Sequence, residues 1–87
     1  MVRVFLPSGL RRLAGGKGEL TASGETVREI IDDLERQFPG LRDRLCDGDR
    51  LRPGVSVVVG STIGDRGLLQ PVPPGSEVHF LPSVGGG

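Results

Sequence analysis

Apolar and polar residues alternate near the N-terminus in a pattern typical of a β-strand. Residues 2–6 read Val-Arg-Val-Phe-Leu, a two-residue period that predicts one buried face and one outward face. After an interruption at Pro7-Ser8-Gly9, a crossing segment leads to a glycine-rich turn at residues 15–18. The stretch Glu19–Ala22 then predicts a short returning strand.

The clearest helix in the sequence begins after Thr26. Thr26 and Glu29 match a capping box, in which each side chain satisfies a backbone N–H group that the start of a helix leaves free. Apolar residues then recur at helical spacing and form one stripe: Val27, Ile30, Ile31, Leu34 and Phe38. Pro39-Gly40 predicts the end of the helix, and Leu41 and Leu45 predict one short turn beneath it.

The C-terminal half contains two further predicted strands. Val55–Val59 is dense in β-branched residues, which favour a well-covered strand. Residues 60–75 hold four Gly and three Pro, so we expect mostly loop, with a brief extended piece near Leu68-Leu69. The alternation of Glu77–Leu81 predicts a last strand.

The order of these elements predicts the fold class. Two hairpin-like strands, one main helix and further strands favour an α+β domain with a mixed sheet of four to five strands packed on the helix. We expect the first and last strands to lie adjacent in the middle of the sheet. That is the β-grasp (ubiquitin-like) arrangement.

The length and charge composition of the chain argue against several classes of function. Eighty-seven residues suffice for one domain, and eleven basic against eleven acidic side chains argue against a primary role on nucleic acid or anionic membrane. The N-terminal apolar run is too short for a signal peptide, and no apolar stretch has the length of a membrane span. We therefore expect a cytoplasmic protein.

The side chains offer little catalytic or metal-binding chemistry. Cys46 is the sole cysteine, which excludes an intrachain disulfide, and its neighbours Arg44 and Asp47 do not mark a lowered pKa. His79 is the sole histidine, and one His with one Cys does not make a usual zinc site. We expect no bound metal or cofactor, and a structural role for Cys46.

The chemistry is predicted at the C-terminus. The chain reads Pro82-Ser83-Val84-Gly85-Gly86-Gly87 after the last strand. Glycine has no Cβ, so such a segment is thin and flexible and can enter a narrow cleft, and a chain end adds a carboxylate. We therefore divide the chain into a domain, residues 1–82, and a flexible glycine-rich tail, residues 83–87.

The segment from Pro74 to Gly87 resembles the C-terminal signature of the ThiS/MoaD/CysO sulfur-carrier family. In that family a turn and a strand lead through Pro and an aliphatic residue to a small residue and a terminal Gly-Gly. Gly85 matches the small residue, and Gly86 and Gly87 match the terminal pair without overhang. The helix and the Val55–Val59 strand also match the family, although only the tail is specific to it.

The resemblance implies a protein co-substrate rather than an enzyme. An E1-like adenylyltransferase would use ATP to adenylate the Gly87 carboxylate, and a cysteine desulfurase or rhodanese-type donor would supply the sulfur that turns it into a thiocarboxylate. A biosynthetic enzyme of cysteine, thiamin or another thio-metabolite would accept that sulfur. Val84, Gly85, Gly86 and Gly87 would thread into the partner's active site, and we expect this terminus to need no proteolytic processing.

Strand alternation also predicts a partner-docking face. If the even residues of the first strand face the helix, Phe5 points outward, and His79 and Leu81 share that direction on the last strand. Val58 joins them from the neighbouring strand. Phe5, Val58 and Leu81 would then form an apolar patch beside the tail, unless a loop covers them or the register differs by one residue.

Three other functions remain open on the sequence. The small subunit of molybdopterin synthase also ends in Gly-Gly but keeps its tail in a larger subunit. A ubiquitin-like modifier would form isopeptide bonds through Gly87. A plain interaction module would carry a passive tail, because many β-grasp domains carry no sulfur.

Overall fold

The computed structural model describes residues 1–64 and 66–82. Nine strands and α-helices follow one another in these residues: β1 (Val2–Phe5), β2 (Glu19–Ala22), α1 (Val27–Gln37), α2 (Leu41–Leu45), β3 (Cys46–Asp47), β4 (Arg50–Leu51), β5 (Val55–Val59), β6 (Thr62–Ile63) and β7 (Glu77–Pro82). Two 3-10 helices, Ser8–Ala14 and Gly67–Leu69, fill connections between them. Within these residues, no helix has both the length and the apolar content that a membrane span requires.

Five strands form one mixed sheet in the order β2-β1-β7-β5-β6. The first and last strands, β1 and β7, pair in parallel at its centre, and the remaining neighbours are antiparallel. The short strands β3 and β4 form a separate hairpin. The prediction of an α+β fold with adjacent first and last strands is therefore confirmed.

The core lies between one face of this sheet and helix α1. On the sheet side, Val4 lies opposite both Leu20 and Val78, and Val57 lies opposite Phe80. The helix contributes four buried residues at helical spacing, Val27, Ile30, Ile31 and Leu34. Alternation along the strands and the stripe along the helix thus bury the same layer, as the sequence pattern predicts.

The start of α1 follows the predicted capping box with one shift. The Thr26 hydroxyl accepts a hydrogen bond from the Glu29 N–H at 3.3 Å, as expected. The Glu29 carboxylate accepts from the Glu25 N–H at 2.9 Å, one residue earlier than the usual partner. Phe38 lies just beyond the helix as its C-cap and is half-buried.

Three connections differ from the sequence interpretation. Residues 8–14 form a 3-10 helix where only a crossing segment was expected. Leu68 and Leu69 are not extended, because Gly67–Leu69 forms a 3-10 helix that buries Leu68. The extended piece of this region is β6, and a turn at Gly48 joins the β3–β4 hairpin, which the sequence pattern did not predict.

Candidate functional site

The predicted reactive tail lies outside the described residues. Val84, Gly85, Gly86 and Gly87 are all among residues 83–87, so their roles stay predictions. The domain boundary at residue 82 also stays a prediction. The described part of β7 ends at Pro82. Because β7 pairs with β1 on one side and β5 on the other, the sheet holds the chain in place up to the residue at which the predicted tail begins.

The outward side of the sheet brings two of the predicted docking residues into one row. His79 on β7 lies directly opposite Phe5 on β1 and Val58 on β5. Val58 in turn lies opposite Ile63 on β6. Directly opposed residues project to the same side of a sheet, so these four side chains form a continuous row across four strands.

Leu81 lies beside this row rather than within it. It is two residues beyond His79 on β7 and opposite Ser56 on β5, so it projects to the same side of the sheet. Leu81 is 44% exposed and Ile63 is 72% exposed, whereas Phe5 and Val58 are half-buried. We call the set Phe5, Val58, Ile63, His79 and Leu81 the sheet face.

His79 is the centre of the sheet face and contacts Phe5 directly. The two rings are stacked with centroids 4.4 Å apart and planes 7° apart. The His79 ring also contacts a carboxylate, because its Nε2 lies within hydrogen-bond distance, 3.3 Å, of Glu77 Oε1. The stacking on Phe5 and the contact with Glu77 together fix the orientation of the imidazole.

Charged side chains border the sheet face on one side. Arg3 pairs with Glu77 across β1 and β7, and its Nη1 lies 3.6 Å from Glu19 Oε2. The Arg3 guanidinium also lies 5.8 Å from the centre of the Phe5 ring. The hydrogen bond from His79, together with Arg3, holds the pKa of Glu77 below its usual value. Glu77 thus stays ionised, and the border of the apolar row is a network of paired charges.

Two members of the sheet face were not part of the predicted site. Ile63 was missed because the Gly- and Pro-rich composition of residues 60–75 favoured a loop. The β-branched pair Thr62-Ile63 directly after Gly60-Ser61 was the available signal for a hairpin. His79 was correctly expected to face outward, but its stacking on Phe5 depends on the parallel pairing of β1 and β7, which sequence periodicity does not encode.

The described residues hold neither a metal-binding cluster nor a reactive thiol. Among residues 1–64 and 66–82, no three His, Cys, Asp or Glu side chains lie close enough together to hold a metal ion. Cys46 is buried, and burial raises the pKa of its thiol despite nearby arginines. It therefore stays a protonated core residue.

Comparison with known proteins identifies relatives over the whole chain. The ThiS family model matches residues 4–87. The sulfur carrier protein CysO of Mycobacterium tuberculosis is 34% identical over 91 residues, covering 99% of this chain and 98% of that protein. Both matches extend over the glycine-rich segment as well as the sheet.

Solved structures give the same relationship. A chain of the Amycolatopsis orientalis BexX/CysO complex superimposes with a TM-score of 0.91 at 36% identity, covering 100% of both chains. The small archaeal modifier protein 1 of Methanosarcina acetivorans superimposes with a TM-score of 0.77 at 28% identity, covering 99% of this chain and 95% of that one. Since family model, sequence relatives and fold agree over nearly every residue, the chain belongs to the ThiS family and functions as a sulfur carrier protein.

Proposed function

We propose that this protein carries sulfur as a thiocarboxylate on Gly87 and delivers it to a biosynthetic enzyme. The observation that supports this most directly is the match to sulfur carrier proteins over 99% of the chain, together with a family match that includes residues 85–87. In this proposal the chain is a co-substrate, and its partners supply the catalysis.

The chemistry would proceed in two stages on the Gly87 carboxylate. A carboxylate oxygen attacks the α-phosphorus of ATP, pyrophosphate leaves, and an acyl adenylate forms. The terminal sulfur of a donor persulfide then attacks the acyl carbon, and AMP leaves. A thiol of a partner protein reduces the resulting acyl disulfide by breaking its S–S bond, which leaves the thiocarboxylate and a protein disulfide.

An E1-like adenylyltransferase would perform the first stage, and a cysteine desulfurase or rhodanese-type protein would supply the persulfide. We propose that the activating enzyme docks on the sheet face, because four of its five side chains are apolar and charged side chains border it. We propose a cytoplasmic location, where ATP for the activating enzyme is available. No cofactor bound to this chain is required.

The proposal is tested by intact-mass measurement of the mature protein before and after incubation with ATP, the activating enzyme and a sulfur donor. We expect the product to be heavier than the starting protein by the mass difference between sulfur and oxygen. Gly86→Val should abolish the gain, because its side chain blocks a narrow cleft while the carboxylate remains. Ser83→Val adds a comparable side chain before the glycine run and should react normally.

Two results would contradict the proposal. One is a mature protein that continues past residue 87 and is not processed. The other is a Gly86→Val protein that acquires sulfur as fast as the Ser83→Val control, since the glycine run would then have no role in activation.

The similarity to small archaeal modifier protein 1 favours one second candidate function, conjugation to other proteins through Gly87. The same reaction mixture separates the two functions. Covalent adducts on lysines of other proteins that disappear when Gly87 is deleted would favour conjugation, whereas a thiocarboxylate without adducts favours sulfur transfer alone.

A further inference from the structure

A groove opens at the end of the sheet from which β7 emerges. It is lined by Pro7–Leu10 at the start of the first 3-10 helix, by Gly54-Val55 at the start of β5, and by Leu81 and Pro82. The groove encloses about 340 Å³. Its apolar surface comes from Leu10, Val55 and Leu81, and none of its lining residues is acidic.

Two arginines without compensating charge border this groove. Arg44, on α2, lines it, and a second hollow beside it is lined by Arg44 and Arg12. Within residues 1–64 and 66–82, neither Arg12 nor Arg44 lies within ion-pair distance of a carboxylate, and both are exposed. In the same part of the chain, Arg3, Arg28, Arg36 and Arg42 pair with carboxylates, whereas Arg11, Arg50 and Arg52 do not, so it is the position of Arg12 and Arg44 beside the groove that distinguishes them.

The position of the groove links it to the tail. Leu81 and Pro82 are the last residues of β7, so a protein surface that takes in the following residues must lie against this end of the domain. The groove also shares Leu81 with the sheet face. A partner that covers the sheet face and receives the tail therefore passes over the groove.

We propose that this groove docks an acidic segment of the activating enzyme, with an apolar side chain between Leu10, Val55 and Leu81 and carboxylates on Arg12 and Arg44. The inference rests on the proposed function, because it names the partner that binds at the root of the tail. Arginine forms paired, charge-assisted hydrogen bonds with carboxylates. Such contacts at the rim of an interface accelerate association and orient the partner more than they tighten the complex.

The test compares the double variant Arg12→Glu/Arg44→Glu with the wild type in steady-state adenylation by the activating enzyme. We expect the KM for the carrier to rise about tenfold with kcat unchanged, because charge reversal impairs docking and leaves the Gly87 carboxylate intact. The rise in KM between low and high salt should also be smaller for the variant. Arg36→Glu is the control, since Arg36 is an exposed helical arginine outside the groove.

The outcomes distinguish the groove proposal from the proposed function, provided that thermal unfolding shows all variants to be folded. An unchanged KM and salt dependence in the double variant would overturn the groove proposal while leaving sulfur transfer intact. An equal rise in KM for Arg36→Glu would also overturn it, because the effect would then not depend on the groove. A wild-type protein that forms no adenylate overturns the proposed function itself, and the groove proposal with it.

Discussion

Asp33 illustrates how a single side chain on the outer surface of α1 ties the helix to the chain before it. Its Oδ2 accepts hydrogen bonds from the Ser23 N–H at 3.0 Å and from Gln37 Nε2 at 3.3 Å, and its Oδ1 accepts from Arg36 at 2.6 Å. The Ser23 N–H above all, with Arg36 and Gln37, holds the pKa of Asp33 below its ordinary value of 3.8, although partial burial opposes the shift.

The lowered pKa of Asp33 predicts a pH-dependent contribution to stability. A carboxyl group with a lower pKa in the folded state stabilises the fold fully above the ordinary pKa, and the contribution is lost as the pH falls towards the folded-state value. Asp33→Asn should therefore lower the free energy of unfolding by about 1 kcal/mol at neutral pH. Urea unfolding at pH 7 and in acid below the ordinary pKa should show this difference shrinking.

A matched control for this variant is Asp47→Asn. Asp47 is exposed in the β3–β4 hairpin and makes no side-chain hydrogen bond or ion pair within the described ranges 1–64 and 66–82. We expect little change in its unfolding free energy at either pH. A difference between Asp33→Asn and the wild type that persists undiminished in acid would show that Asp33 acts through something other than its charge.

At the scale of elements, the approach of the β2–α1 connection to the helix depends on a glycine. A Cβ at Gly24 would lie 2.7 Å from Glu29 Cβ and 2.9 Å from the Ile30 backbone N. The Ile30 nitrogen belongs to the helix backbone, so moving it away would disturb the hydrogen bonds of α1. The space that α1 needs against this connection is therefore available only without a side chain at residue 24.

Gly24→Ala should consequently lower the free energy of unfolding by about 2 kcal/mol, the usual cost of forcing an extra carbon into a packed site. Gly54→Ala is the matched substitution, because a Cβ there meets no atom within 4 Å and the residue has no positive φ. Its effect should stay within about 0.5 kcal/mol. Chemical denaturation of both variants decides the matter, and equal stabilities would contradict the steric argument.

Elements with a period of their own could be predicted from the sequence. The Val-Arg-Val-Phe alternation of β1 and the stripe of α1 each bury one continuous face, so pattern and structure agree. The short turn at Leu41–Leu45 was also predictable, because its two leucines are four residues apart, the spacing that places them on one helix face. Both are fully buried in the structure. In these elements, the apolar positions are those that contact the core.

The elements that could not be predicted are those too short to show a period. Two-residue strands such as β3, β4 and β6 exist only because a neighbour supplies their hydrogen bonds. Gly67–Leu69 turns instead of extending because this buries Leu68 against the core. The same reasoning applies to the site, since Phe5 and His79 meet only once β1 and β7 pair in parallel.

At the scale of the whole molecule, the core and the proposed docking surface lie on opposite sides of the sheet. One side of the sheet is covered by α1 and holds the fully buried residues Val4, Val78 and Phe80. The other side carries the sheet face, whose side chains the core does not require. Strand β7 contributes side chains to both sides of the sheet and leads directly to residue 83. A partner bound to the sheet face could therefore hold the domain and receive the tail at the same time.

This separation makes Phe5→Asp the substitution that tests the docking role of the sheet face. Phe5 is half-buried and stacks on His79, so replacing it removes an aromatic contact worth about 1 kcal/mol to the fold. It also places a charge in the row of side chains that forms the sheet face. We expect the KM for adenylation by the activating enzyme to rise at least about tenfold with kcat preserved, since loss of an aromatic anchor from an interface commonly costs more than 1 kcal/mol of binding.

Thr21→Asp is the control, because Thr21 lies opposite Arg3 and therefore projects to the same side of the sheet, but outside the apolar row. It introduces the same charge beside an arginine and should leave the KM near that of the wild type. Circular dichroism and thermal unfolding establish that both variants remain folded. If folded Phe5→Asp is adenylated with the wild-type KM, the activating enzyme does not grip this row, and the surface around Leu81 and the groove must carry docking alone.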